Sequence, residues 1–128
     1  MGGLNSQHNR VVWCDMPVAD LARASAFYAA VLAIRVDRME FGGGAFAILE
    51  HDEGNGACLI PNEGYAGCVD GPLVYFNVDR RIRAAVAEAT RHGGKVVEDV
   101  HAIGPHGIRA IVLDSEGNRI ALHSSVDA

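Results

Sequence analysis

Two titratable side chains, Asp15 and His123, stand on short strand-like runs where a carboxylate or an imidazole could take a proton from a substrate. Such a base needs a pKa moved toward neutrality and a substrate within hydrogen-bonding reach. The plainer reading leaves Asp15 solvated or paired with an arginine and His123 capping a strand end. No nucleophile–base–orienter set accompanies either residue. Trp13 and Tyr75 could stack on a ring, and Asn77 could fix a polar group. Cys58 could be a reactive thiol. Without a helix start or a basic neighbour in sequence, an inert buried residue is the simpler reading. Arg109 alternates away from Ala110 along its strand and could reach an anionic ligand.

A duplication positions these residues. Trp13-Cys14-Asp15-Met16-Pro17-Val18 and Leu73-Val74-Tyr75-Phe76-Asn77-Val78 are strand-like runs sixty residues apart, each leading into a helix-like stretch. Glu53-Gly54-Asn55 recurs as Glu116-Gly117-Asn118 sixty-three residues on, so the second copy has gained three residues in a loop. Two copies are too few for a solenoid and imply a paired-module domain with any site between the halves.

Within the first copy, Val11 to Val18 reads as a strand. Asp20 then caps a helix whose apolar positions Leu21, Ala24, Phe27, Tyr28, Val31 and Leu32 follow helical spacing. Strands follow over Arg35 to Glu40, Ala45 to Leu49 and Ala57 to Pro61, turning at Gly42-Gly43-Gly44 and at Glu53-Gly54-Asn55. The second copy repeats the order: strand Leu73–Val78, Asp79 as N-cap, and a helix carrying Ile82, Val86 and Ala89 that ends at Gly93-Gly94. Strand Lys95–Val100 and a loop over Ala102 to Gly107 precede a hairpin of Arg109–Leu113 and Arg119–Ser124. This predicts an α+β fold of two β-α-β-β-β modules. Residues 1–9 are read as a flexible lead-in and 10–128 as one domain, with modules at about 10–61 and 72–125 and a linker at 62–71.

Strand parity separates two faces. Cys14, Met16 and Val18 share one with the equivalents Val74, Phe76 and Val78; all are apolar, as expected beneath a helix. The opposite face mixes Trp13, Asp15 and Pro17 with Leu73, Tyr75 and Asn77. On the final strand it receives Ala121 and His123. An apolar hollow with a few polar groups is what a small-molecule site requires.

Bulk properties exclude other classes. A net charge of −5 with scattered basic residues argues against nucleic acid, and Arg80-Arg81-Ile82-Arg83 reads as the solvated start of a helix. No apolar stretch is long enough to cross a bilayer. Met1 to Ser6 fits the myristoylation pattern, a short match better read as a frayed terminus. Three cysteines without a C-x-x-C suggest neither disulfides nor a zinc knuckle, and fit reduced thiols in a cytoplasm. His101 and His106 match no common metal spacing and are read as surface or loop residues, as is His51; His92 is a helix-end residue.

Pro17-Val18-Ala19-Asp20-Leu21 running into Phe27-Tyr28-Ala29-Ala30-Val31-Leu32, then His92-Gly93-Gly94-Lys95-Val96 and Asp114-Ser115-Glu116-Gly117-Asn118-Arg119-Ile120, resemble the vicinal-oxygen-chelate superfamily of glyoxalases, extradiol dioxygenases and bleomycin- or fosfomycin-resistance proteins. The resemblance spans about residues 11–124. It implies two modules facing across a cleft with one helix each outside, usually within a homodimer. Metal-dependent members hold a divalent ion with His or Glu on four cleft strands. Those positions fall here on Trp13, Cys58 (or its neighbour Leu59), Leu73 and Ala121. Leu and Ala supply no donor, so the expectation is no metal and no other cofactor.

Three functions follow. The first is a cytoplasmic protein binding a small, partly aromatic molecule in a metal-free cleft walled by Trp13, Cys58, Leu73, Tyr75, Asn77 and Ala121. The second is a glyoxalase- or lyase-type enzyme with Asp15 or His123 as base, or with a metal held outside the usual positions. The third is a dimeric scaffold whose cleft is filled by its own side chains.

Overall fold

The structure, a computed structural model, describes residues 9–128. The lead-in expected over residues 1–9, with its myristoylation-like pattern and His8, lies outside the described residues apart from Asn9. The first module runs β1 (Trp13–Val18), α1 (Leu21–Leu32), β2 (Val36–Phe41), β3 (Gly44–Leu49), β4 (Gly56–Pro61). The second repeats it as β5 (Val74–Asn77), α2 (Ile82–Arg91), β6 (Lys95–Ala102), β7 (Ile108–Leu113), β8 (Arg119–Ser124). Each module is a four-stranded mixed sheet, ordered β1-β4-β3-β2 and β5-β8-β7-β6, with its first strand parallel to its last. The architecture is the α+β pair of β-α-β-β-β modules that the repeat predicts.

The helix α1 forms because Leu21, Ala24, Phe27, Tyr28 and Val31 place one buried stripe along it. Asp20 caps it, accepting from the Arg23 N–H at 2.9 Å. Its end is marked by Ala33 in the left-handed region. The second helix departs from expectation. It begins at Ile82 with no side-chain cap, and Asp79 lies outside it. The Asp79 carboxylate instead accepts from the N–H and hydroxyl of Ser125, each at 2.6 Å, because the chain end folds back beside it. Nor is the arginine cluster simply solvated. Arg81 is half-buried and donates to the Val31 carbonyl at the end of α1, 2.6 Å away, joining the modules.

The two helices pack on one another above Met16, Val18, Phe76 and Val78, which places one continuous core under both modules. The β7–β8 turn adds a polar lock. Asp114 is buried and accepts from the Tyr28 hydroxyl at 2.5 Å and from the Glu116 and Asn118 N–H groups. Asn118 in turn donates to the Pro17 carbonyl of β1. The bonds from Tyr28 to Asp114 and from Asn118 to Pro17 span 86 and 101 residues, separations that local pattern cannot reveal.

Candidate functional site

The edge strands β1 and β5 each pair on one side only, and a cavity of about 500 Å³ opens between them. Trp13 and Cys14 line it from β1, Tyr75 and Asn77 from β5, and Leu32 and Ile34 from the end of α1. The Trp13 ring meets His51 edge-on with centroids 5.3 Å apart. Its indole N–H donates to the Cys58 sulfur at 3.4 Å, and the Cys58 S–H donates to Asp15 at 3.1 Å. Burial pushes the Cys58 thiol up to about 11, and the Asp15 carboxylate adds to this against the pull of the indole N–H. Cys58 is therefore a protonated hydrogen-bond link.

A second cavity, of about 560 Å³, adjoins the first and shares Tyr75, Phe76 and Asn77 with it. Arg109, His106 and His123 face it. The Arg109 guanidinium donates through Nη1 to the Tyr75 hydroxyl at 2.7 Å and through Nε to His101 Nε2 at 3.2 Å. His123 Nε2 lies 2.6 Å from the His106 carbonyl. A carbonyl only accepts, so Nε2 donates in this contact. Gly107 makes this approach possible. At φ +98° a Cβ there would lie 2.6 Å from the Ser124 carbonyl and 3.0 Å from His123 Nε2.

Of the residues singled out in sequence, Trp13, Tyr75 and Asn77 line the first cavity, and Tyr75, Asn77 and His123 the second. Asp15, Cys58, Leu73 and Ala121 line neither. Cys58 and Ala121 are buried, Asp15 is exposed and engaged by Cys58, and Leu73 precedes β5. Sequence reasoning missed the part played by His101, read as a surface or loop histidine. It lies on β6 opposite Arg109, holding the guanidinium.

Register bears on the second of the carried-over positions, Cys58 or its neighbour Leu59. Cys58 pairs with Asp15 as Ala121 pairs with Tyr75, so Cys58 and Ala121 occupy equivalent places in the two modules, and Leu59 is fully buried in the core. The set Trp13, Cys58, Leu73 and Ala121 does not fit a divalent cation. Two members lack donors, an indole only donates, and the thiol is held protonated. Among the described residues no three His, Cys, Asp or Glu side chains converge as a metal-holding group.

Comparison with known proteins agrees with this architecture. The model of the Glyoxalase/Bleomycin resistance protein/Dioxygenase superfamily matches residues 10–122. A glyoxylase-like domain-containing protein from Didymella fabae is 27% identical over 121 residues, covering 90% of this chain and 93% of that protein. A glyoxalase/bleomycin resistance protein from Albidiferax ferrireducens superposes with a TM-score of 0.72 at 17% identity, over 91% of this chain and 98% of the other. A genomically encoded fosfomycin resistance protein from Listeria monocytogenes gives 0.66 at 11% identity, over 91% and 93%. At such identities the structural likenesses speak for fold alone. The match across nearly the whole chain, joined to the paired modules, places this protein in the Glyoxalase/Bleomycin resistance protein/Dioxygenase superfamily.

Proposed function

We propose that the protein binds a small, partly aromatic organic molecule in the cleft between its modules without a metal. The observation that carries this reading is the cavity walled by Trp13, Leu32, Ile34 and Val74, beside metal positions whose side chains are not a donor set. A concave apolar wall with few polar groups is the usual character of a small-molecule site. The same reading takes residues 10–128 as one cytoplasmic domain acting as a homodimer. Three free cysteines support the compartment, and the family resemblance supports the dimer. No helix among the described residues is long and apolar enough to cross a membrane.

Trp13 is the single tryptophan of the chain, so its fluorescence reports occupancy of this cavity. A panel of aromatic metabolites and glycopeptide antibiotics should contain compounds that change its emission and raise the melting temperature, with midpoints unchanged by chelator. A stoichiometric metal that survives purification and is needed for the fold or for binding defeats the proposal. So does a panel with no response.

A second reading is favoured by His123, which lines the second cavity and has its Nε2 beside the His106 carbonyl. It makes the protein a glyoxalase- or lyase-type enzyme with His123 as general base. Asp15 is the weaker base candidate because its carboxylate is exposed and bonded to Cys58. Under this reading His123→Gln abolishes turnover, while Asp15→Asn leaves it within about twofold.

A further inference from the structure

We propose that Arg109, set by Tyr75 and His101, binds the carboxylate of an aryl acid whose ring lies in the apolar cavity beside Trp13. This rests on the small-molecule reading and narrows its ligand class.

The guanidinium of Arg109 is held by neutral acceptors alone, the Tyr75 hydroxyl and His101 Nε2. Its Cζ lies 6.0 Å from the Tyr75 ring centroid. Because Nε2 of His101 accepts, its proton is on Nδ1, which donates to the Asp99 carbonyl at 2.7 Å. The acid nearest that ring is Glu98, with Oε1 3.8 Å from Nε2. Among the described residues Arg109 has no ion-pair partner, whereas Arg23, Arg35 and Arg83 each meet a carboxylate. Its Nη2 makes no hydrogen bond among the described residues, which leaves half of the fork for a ligand. A planar guanidinium fixed on one side and open on the other suits a carboxylate.

The sheet itself keeps an acid away from this position. Two irregularities shift the β6–β7 register, one between Val96 and Glu98 and one between Glu98 and His101. Carried on without them, the Val96–Val112 pairing would set Asp99 opposite Arg109. With them, His101 takes that place. The bulges thus exchange a neutralising carboxylate for a neutral acceptor at the wall of a cavity.

The two cavities share Tyr75, Phe76 and Asn77 in their walls and so adjoin, and the proposed ligand would extend from one into the other. Its apolar part meets Trp13 and Leu32, and its anionic end meets Arg109.

The test uses benzoate, phenylacetate and 3-phenylpropionate, each beside its uncharged primary amide, titrated against Trp13 fluorescence and by calorimetry. At least one acid should bind about tenfold or more tightly than its amide, since charge-assisted bonds are roughly twice as strong as neutral ones. Raising salt to about 0.5 M should weaken the acid and leave the amide unaffected. Arg109→Gln should bring acid and amide within about twofold, and Arg109→Lys, which keeps the charge, should preserve part of the preference. Circular dichroism checks the fold of both variants, and the salt series on the unaltered protein stands should either fail to fold. Equal binding of acid and amide, or a preference that survives in Arg109→Gln, overturns the inference but leaves the binding reading intact. Failure of every acid and amide overturns this inference, and silence across the wider panel as well overturns both.

Discussion

Glu116 in the β7–β8 turn grips Arg23 on α1 of the other module, with Nε to Oε2 at 2.8 Å and Nη2 to Oε1 at 2.9 Å. The same carboxylate accepts from the Ala19 and Asp20 N–H groups at the start of that helix, at 3.0 and 2.9 Å. One acid thereby satisfies orphan donors, answers a helix dipole and pins one module to the other. Burial alone would raise its pKa. The bonds from Arg23, Asp20 and Ser115, with the Arg23 charge, outweigh burial and bring it down to about 2 from 4.5.

A carboxyl lowered on folding stabilises the protein fully above its unfolded pKa and loses that contribution as pH falls through the folded value. Stability should therefore drop between about pH 5 and pH 2, and Glu116→Gln should flatten that slope. At neutral pH the variant should lose on the order of 2–3 kcal/mol in urea unfolding, allowing for the exposed side of Arg23. An unchanged acid limb in Glu116→Gln would show that the pair is idle.

Tyr28→Phe removes a bond from a buried hydroxyl to the buried Asp114 carboxylate while leaving the ring in place. Asp114 keeps its bonds from Glu116 and Asn118, so the variant should fold with a loss of about 1–3 kcal/mol. In the unaltered protein, burial and then the Asp114 charge hold the Tyr28 phenol well above its usual range. An ultraviolet pH titration should find it among the last tyrosines to ionise in the folded state.

Gly94 follows α2, where a Cβ would lie 2.6 Å from the Leu113 carbonyl and 2.8 Å from both the Ala89 carbonyl and the Phe27 ring. Two of these atoms are backbone and cannot turn aside. Gly94→Ala should cost about 1–3 kcal/mol or more by overpacking. Gly54→Ala, in open space, should stay within about 0.5 kcal/mol. Thermal melts of the two variants make the comparison.

The three thiols should react in a fixed order. Cys68 is exposed on the linker, Cys14 is half-buried and raised by burial, and Cys58 is buried and pushed up to about 11. Iodoacetamide on the native protein near pH 8 should label Cys68 first and Cys58 last, since the thiolate is the nucleophile. Peptide mass spectrometry reads the order, and early labelling of Cys58 would show it to be an activated thiol.

The repeat makes the architecture legible in the sequence itself. Its recurrence at Trp13 and Leu73 placed both first strands. The spacing of Phe27, Tyr28 and Val31 placed α1, because apolar periodicity is a local property that survives folding. Capping was less secure: Asp79 has the right residue type, yet Ser125, distant in sequence, supplies its partners.

The site divides in the same way. Residue identity at Trp13, Leu73 and Ala121 was enough to remove the donors a metal needs, since a side chain without lone pairs lacks them in any fold. Strand parity put Tyr75, Asn77 and His123 on a common face. Only the tertiary structure decided that Arg109 meets Tyr75 and His101 instead of Asp99, because two bulges in β6 shift the register by amounts absent from any local pattern. It alone also set Glu116 against Arg23, a contact between halves of the chain that the sequence keeps far apart. Period and composition act between neighbours along the chain; charge pairing and cavity shape are fixed only when the two sheets and their helices close on one another.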